Sequence, residues 1–204
     1  MREALTRDAQ MFFSRWGTSR KPRWMLWGRL LLLTPGFQLV FWLRVQRALK
    51  TVPVVGPALR RCLWYVTTIW FSCDVDPEVE IGPGLYLPHP LGIVIGGGVK
   101  IGSNVSILQN VTLGRVATEH FDPTLGDHVE IGAGAVVLGA IHVGSGSKVG
   151  ANSVVLRDVP AGAVAVGAPA RIIMPGARSR RWPGTWTFSW RGSARPASHA
   201  GCFG

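Results

Sequence analysis

The stretch HPLGIVIGGGVKIGSNVSILQNVTLG, residues 89–114, consists almost entirely of glycine, valine, isoleucine and small polar residues. An aliphatic residue recurs in it at every sixth position, and the next residue is usually small. The same period runs through the middle of the chain with two interruptions, and its aliphatic positions are Val75, Ile81, Leu87, Ile95, Ile101, Ile107, Leu113, Leu125, Ile131, Val137, Val143, Val149 and Val155. A six-residue repeat of this kind is typical of a parallel β-helix.

Each hexad predicts one flat face of a prism, and three faces make a coil of about 18 residues. We expect the aliphatic side chains inside the prism and the glycines at tight corners, because glycine tolerates backbone conformations that other residues avoid. The two interruptions predict loops that project outward. The first lies around Gly92 and Ile93, and the second comprises residues 115–124. The second loop is either a solvated loop or the wall of a site.

The formal charge of +11 belongs to the two ends of the chain. Residues 1–73 carry twelve Lys or Arg against two acidic residues, and residues 174–204 carry five Arg and no acid, whereas the middle is acidic. Three scattered thiols (Cys62, Cys73 and Cys202) form no disulfide framework, which favours a reducing compartment. The start of the chain lacks the pattern of a signal peptide. No stretch reaches 18 apolar residues, so we expect no membrane-spanning helix.

Residues 1–73 are predicted to form a helical, basic N-terminal region. The segments RWMLWGRLLLLT, FQLVFWLRVQRALK and PALRRCLWYVTTIWFS have helical patterns. In the second, leucines share one side while Arg44 and Arg47 share another. Helices rich in Arg and Trp fit a membrane surface, and the alternative is that they pack on the β-helix or between subunits.

The tail, residues 174–204, is rich in Gly, Ser and Arg without any periodicity, and we expect it to be disordered. Its charge alone would allow nucleic-acid binding. No recognition motif accompanies the charge, so no nucleic-acid partner is predicted.

Three strings carry a resemblance to a known family. The Asp-x-x-Pro string that begins at Asp74, the string HPLGIVIG and the string VSILQNVTLG together resemble serine acetyltransferases and related polysaccharide-modifying acetyltransferases. VGANSVVLRDVPAGAVAVGAPARII resembles the C-terminal coil of that family, and the similarity covers about residues 38–173. The resemblance implies a mainly β fold, a left-handed parallel β-helix over residues 74–173. It also implies a homotrimer and acetyl-CoA as co-substrate, with no metal.

The resemblance implies that His89 is the general base and that Asp74 orients it. The coil geometry is consistent with this pairing, because Asp74 lies at the corner that enters its coil and His89 lies where the chain returns toward that corner one layer on. An imidazole with an ordinary pKa near about 6.5 can accept a proton from an alcohol at neutral pH. The alternative is a histidine exposed at the edge of a coil.

For the acetyl-CoA side, the resemblance implies a groove between neighbouring chains. Small residues permit the pantetheine arm to approach the backbone, and the candidates are Gly114, Ala133 and Ala151. Arg157 and Arg171 are candidates for the CoA phosphates, and the alternative for both is an exposed cation at the edge of a coil.

The acceptor side departs from the family. Serine acetyltransferases usually carry Arg-His before the proline that ends the large loop, and here those positions hold Phe121 and Asp122. A carboxylate near the carboxylate of serine would repel it, and His120 could substitute only if the loop changed register. We therefore predict transfer to a hydroxyl of a sugar or exopolysaccharide precursor, with Phe121 against the sugar ring. The alternatives are a serine O-acetyltransferase that makes O-acetylserine for cysteine biosynthesis, and a non-catalytic, membrane-docked scaffold.

Other reactive residues are predicted to be structural. Cys73 adjoins Asp74 but has no basic partner in the sequence that would activate it. The spacings of His120, His128 and His142 match no metal-ligand pattern, so no metal site is predicted. We expect a cytoplasmic protein, either free or peripheral on the inner face of the membrane.

Overall fold

The computed structural model describes residues 1–16, 23–116 and 121–174. The predictions for His120 and for the tail from residue 175 therefore concern residues outside the described ones. The N-terminal part of the described chain is helical, and its helices are α1 (Arg2–Arg15), α2 (Arg23–Leu33), α3 (Pro35–Leu49) and α4 (Val55–Phe71).

Short strands follow the helices. They are β1 (Asp74–Val75), β2 (Glu80–Ile81), β3 (Val94–Ile95), β4 (Lys100–Ile101), β5 (Ser106–Ile107), β6 (Thr112–Gly114), β7 (Thr124–Leu125), β8 (Glu130–Ile131), β9 (Val136–Leu138), β10 (His142–Val143), β11 (Lys148–Val149), β12 (Val154–Val155), β13 (Val164–Val166) and β14 (Arg171–Ile173). The strands form three sheets. The first sheet has the order β1-β3-β6-β9-β12, the second β10-β7-β4-β2, and the third β14-β13-β11-β8-β5.

The chain visits the three sheets in turn, so that strands stack on strands of the next coil in parallel register. Only β14 departs from this rule among the described strands, because it pairs with β13 in antiparallel register. The result is a parallel β-helix of about four turns. The predicted fold class, a mainly β solenoid with a short helical N-terminal region, is therefore confirmed.

The interior of the prism is apolar. All thirteen repeat positions point inward, and all except the half-buried Ile81 are buried. A second set of buried residues lies two positions earlier in many hexads, as at Val99, Val105, Val111 and Val129. Alternate residues of an extended chain face the same side, so each face of the prism contributes two side chains to the core, and the six-residue period alone had indicated only one.

The glycines that follow the aliphatic positions are needed for a different reason from the one predicted. None of Gly82, Gly102 and Gly126 has a positive φ. A Cβ added to Gly102 would lie 2.6 Å from the carbonyl carbon of Gly126 in the next coil, and a Cβ added to Gly82 would lie 2.6 Å from the carbonyl carbon of Gly102. These glycines therefore allow close stacking of the coils, and the corner prediction is wrong for them.

The left-handed corner conformations fall elsewhere. Asn104, Asn110, His128 and Asn152 have φ values of 57°, 58°, 56° and 54°. Asparagine and histidine are among the non-glycine residues that adopt this conformation most readily. The corners of the prism are therefore made in part by residues that the repeat pattern did not mark.

A buried ion pair fastens the helices to the first coil. Asp8 of α1 is fully buried, and its two carboxylate oxygens each lie 2.9 Å from a guanidinium nitrogen of Arg44 in α3. Asp8 Oδ1 also accepts the backbone N–H groups of Gly84 and Leu85, both at 2.8 Å. Arg44 donates to the carbonyl oxygen of Ile81 at 2.8 Å. Arg44, which shares a side of the predicted helix with Arg47, is therefore buried, because a carboxylate from α1 and backbone carbonyls bind it.

Other cations of the helices also bond to the β-helix. Arg47 donates to the carbonyl oxygen of Ile81 at 3.1 Å. Glu78 forms ion pairs with Arg60 of α4 and, at 2.8 Å, with Lys50. The membrane-surface hypothesis stays a prediction, but the bonded cations no longer support it. No described helix is long and apolar enough to cross a membrane alone; Trp24–Leu33 and Pro35–Leu49 pass that test only as a pair, bent by 86°.

Candidate active site

His89 lies in an insertion at a corner of the β-helix. Tyr86 pairs with Ser106 and Val94 pairs with Thr112. The coil that contains Tyr86 and Val94 therefore uses two more residues than the next coil to pass from the third sheet to the first. The sequence placed this insertion just after His89, whereas in the structure His89 lies within it.

The insertion explains why His89 is exposed. The backbone N–H of Leu91 donates to the carbonyl oxygen of His89 at 2.9 Å, which closes a tight turn. Leu87 before the turn and Ile93 after it are both fully buried. The turn therefore carries the imidazole out of the prism while the core continues beneath it.

Asp74 begins β1 at the same corner. Its backbone N–H donates to Ile93 at 2.8 Å, and the carbonyl oxygen of Ser72 accepts the N–H of Gly92 at 2.9 Å. The segments that carry Asp74 and His89 are thus bonded to each other. Within the described residues, however, no hydrogen bond or ion pair joins the two side chains, so the predicted orienting role of Asp74 stays a prediction.

Trp64 of α4 is the residue that does contact Asp74. Its indole Nε1 donates to Asp74 Oδ1 at 3.0 Å. The guanidinium carbon of Arg61 lies 4.3 Å from the centroid of the same ring. No sequence motif marked Trp64, and the only signal for it was its position on the predicted helix that leads into Asp74.

The large loop turns Asp122 inward. The Asp122 side chain is 2% exposed, and Oδ2 accepts a hydrogen bond from Arg115 at 3.0 Å and one from the backbone N–H of Gly98 at 3.2 Å. A Cβ added to Gly98 would collide with Oδ2. Phe121 is 71% exposed. One oxygen of the carboxylate is therefore paired with Arg115 and bonded to the adjacent coil, while Oδ1 is buried with no hydrogen-bond partner among the described residues. The side chain is turned away from solvent, whereas the repulsion that we had expected requires it to face the substrate.

The residues proposed for acetyl-CoA divide among three places. Arg157 and Arg171 line one pocket of about 540 Å³ near the C-terminal end of the β-helix, and Arg157 donates to the carbonyl oxygen of Ala170 at 3.3 Å. Ala133 and Ala151 lie on successive coils at the corner between the third and first sheets. Gly114 is the last residue of β6 and therefore lies at the C-terminal ends of the strands of the first sheet.

The thiol and the remaining histidines occupy structural positions. Cys73 is buried, and burial raises the pKa of its thiol, although a backbone hydrogen bond with Ile93 offsets part of the effect. A protonated, buried thiol is a poor nucleophile. His128 occupies a left-handed corner and His142 begins β10. In the part of the chain that the structure describes, no three side chains of His, Cys, Asp or Glu come together as a metal site would require.

A stacked hexapeptide prism with an exposed histidine at an inserted corner defines a class, the acyltransferases built on hexapeptide repeats. The family model described as bacterial transferase hexapeptide (six repeats) matches residues 122–157. The serine acetyltransferase of Helicobacter pylori strain J99 is 42% identical over 150 residues, which are 71% of this chain and 84% of that relative.

Solved structures give the same result. The soybean serine acetyltransferase apoenzyme superposes with a TM-score of 0.75 at 38% identity, covering 84% of this chain and 68% of that one. The serine acetyltransferase of Neisseria gonorrhoeae in complex with serine gives 0.74 at 32% identity, with 84% and 68% covered. The chain belongs to the serine acetyltransferase family of hexapeptide-repeat acyltransferases. Serine acetyltransferases use acetyl-CoA as co-substrate.

These comparisons overturn the predicted acceptor. The relatives and the superposed structures are named serine acetyltransferases, and one of them holds serine, so the prediction of a sugar or exopolysaccharide acceptor is wrong. The error arose because we expected the charged side chain of Asp122 to face the substrate. The sequence did not reveal that Arg115 and the backbone of Gly98 bind that carboxylate.

Proposed function

We propose that this protein is a serine O-acetyltransferase that transfers the acetyl group of acetyl-CoA to the hydroxyl of L-serine. The observation that carries the proposal is the similarity to the Helicobacter pylori enzyme over 84% of that enzyme. The position of His89, exposed on an inserted turn, is consistent with it.

The chemistry needs one proton acceptor. His89 takes the proton of the serine hydroxyl as the oxygen attacks the thioester carbonyl carbon. Backbone N–H groups can stabilise the oxyanion that forms. The C–S bond then breaks, and the CoA thiolate recovers the proton from His89. Asp74 holds one ring nitrogen so that the other faces the hydroxyl, and Arg157 and Arg171 bind the phosphates of CoA.

Arg115 is our candidate partner for the carboxylate of serine. Its side chain is 51% exposed, and its guanidinium keeps further N–H groups beyond the one that binds Asp122. Arg115 follows β6, at the C-terminal ends of the strands of the first sheet. His89 precedes β3, at the N-terminal ends of those strands. About five extended residues span roughly 16 Å, which exceeds the length of a serine.

We therefore include in the proposal a site in which Arg115 and His89 come from neighbouring protomers. Such a site would lie between the chains of a trimer. The trimer and a cytoplasmic location are both part of the proposal.

The test measures release of CoA thiol from acetyl-CoA by the purified full chain. We expect turnover with L-serine and none above background with nucleotide sugars. His89→Ala should lower kcat by on the order of 10²–10⁴, because the proton acceptor is lost. His142→Ala is the matched control, since His142 is also exposed but begins β10 of the second sheet. Absence of serine-dependent thiol release, or a folded His89→Ala variant with full turnover, would refute the proposal.

A further inference from the structure

We propose that Trp64 is a positioning residue for acetyl transfer, which holds the Asp74 carboxylate so that its second oxygen can bind His89. The inference rests on the proposed function, because it gives His89 the role of base and Asp74 the role of its partner. It adds a contact from the helical region to a site otherwise built by the β-helix.

The contact is specific to one oxygen. Indole Nε1 donates to Asp74 Oδ1 at 3.0 Å, and the described residues provide no other hydrogen bond to this side chain. Asp74 is exposed at the edge of β1, so its carboxylate would otherwise exchange among rotamers. An indole is a donor only. It therefore fixes Oδ1 and leaves Oδ2 free to accept a ring N–H from His89.

Trp64 is itself held in place. Arg61 stacks on its ring at 4.3 Å, a distance at which a cation is attracted to the face of an indole. Helix α4 packs on α3, where Gln46 donates to Thr67 at 3.3 Å. Only Ser72 and Cys73 separate the end of α4 from Asp74. The indole and the carboxylate therefore belong to one short segment whose helix is packed on α3.

This arrangement matters for the reaction because the imidazole becomes a cation when it takes the serine proton. A carboxylate already oriented toward the ring stabilises that cation without first having to reorganise. A carboxylate that rotates freely must be ordered during the reaction. Loss of the indole should therefore slow the chemical step and leave the binding of acetyl-CoA unchanged.

The test compares Trp64→Phe with Trp70→Phe. Phenylalanine keeps the aromatic ring but lacks the N–H donor, and Trp70 is a control on the same helix that is 78% exposed. We expect Trp64→Phe to lower kcat on the order of 10-fold, as for one hydrogen bond to a charged group, with the KM for acetyl-CoA unchanged. Trp70→Phe should leave both constants unchanged.

A double-mutant cycle separates positioning from a structural role. In an Asp74→Ala background the indole has no carboxylate to hold, so Trp64→Phe should then change kcat less than about 2-fold. In a separate NMR measurement, the indole N–H resonance of Trp64, assigned by its loss in Trp64→Phe, should shift in Asp74→Ala.

Each outcome decides a different point. Full kcat in a folded Trp64→Phe variant, an equal loss in both backgrounds, or an unshifted indole resonance would overturn the inference. A wild-type protein without serine-dependent turnover would instead refute the proposed function, whatever the resonance shows.

Discussion

The β-helix and the helical region are stabilised in different ways. The β-helix is an apolar stack, in which buried aliphatic residues of successive coils lie in register and form one core, and glycines allow the coils to approach. The helical region has its own small apolar cluster around Phe12 and Phe37. It is linked to the first coil by apolar side chains, since Leu39, Val40, Leu43 and Phe71 belong to the core of the β-helix. It is also linked by charged side chains, namely Asp8, Arg44 and Arg60.

This difference predicts which kind of substitution should destabilise each region. A buried apolar position can often be refilled by another apolar side chain of similar volume. A buried charge cannot lose its partner without leaving an uncompensated charge behind. We therefore expect the junction between the two regions to be more sensitive to the loss of one charged side chain than the stack is to an apolar replacement of similar volume.

The largest effect is expected for Asp8→Ala. This change leaves the buried Arg44 without its carboxylate and removes the acceptor for the N–H groups of Gly84 and Leu85. Breaking a buried pair by removing one partner costs about 3–5 kcal/mol. Denaturant unfolding of the variant should show that loss in the free energy of unfolding.

The exposed pair of the same helix is the control. Glu3 and Arg7 are 80% and 47% exposed, so Glu3→Ala should change stability by less than about 1 kcal/mol. The double change Asp8→Leu with Arg44→Met should recover part of the loss, because it removes both charges. Equal effects of Asp8→Ala and Glu3→Ala would contradict the view that the buried ion pair and its hydrogen bonds to the first coil join the two regions.

The second prediction compares the same substitution at two glycines, one from each region. Gly102→Ala places a Cβ 2.6 Å from the carbonyl carbon of Gly126, so the coils must separate, at a cost of about 1–3 kcal/mol. Gly28 lies in α2 with nothing within 4 Å of an added Cβ. Gly28→Ala should therefore be neutral or stabilise by about 0.5–1 kcal/mol, since alanine favours a helix.

Thermal unfolding of both variants measures this contrast. Gly102→Ala should lower the Tm and Gly28→Ala should not. An unchanged Tm for Gly102→Ala would mean that close stacking does not explain the glycines of the repeat.

Much of the β-helix could be predicted because its core positions recur at a fixed spacing along the chain. Ile107 and Leu113 were placed in the core by their six-residue spacing alone, and both are fully buried. Val105 and Val111 were missed, although alternation along an extended chain would have found them. The purpose of Gly102 could not be inferred from spacing, because it depends on how close the next coil lies.

Of the candidate site, the sequence marked only the residues that lie in the family strings or at aligned positions. His89 was found from its string, and the structure adds that an inserted turn exposes it. The contact between Trp64 and Asp74 depends on how α4 packs, and the direction of Asp122 depends on Arg115 across the loop. Contacts of this kind are set by tertiary packing, which a single sequence does not display.

The smallest effect concerns Glu78, where the two regions meet at the surface. Hydrogen bonds from Lys50 and then Arg60 lower the pKa of the Glu78 carboxyl below its ordinary value, against a partial opposing effect of burial. A pKa that is lower in the folded state stabilises the protein above the pKa of the unfolded state, and this contribution is lost as the pH falls through the folded pKa. Glu78 is 53% exposed, so solvent screening keeps the contribution below about 1 kcal/mol.

Glu78→Gln should therefore lower the Tm slightly at pH 7, and the difference from wild type should shrink as the pH falls below about 4.3, the ordinary pKa of glutamate. Glu80→Gln is the matched control, since Glu80 is 64% exposed and lies 3.8 Å from Lys100 within the β-helix. A constant Tm difference at all pH values would mean that Glu78 acts through packing rather than charge, and the surface link between the helices and the first coil would then not be ionic.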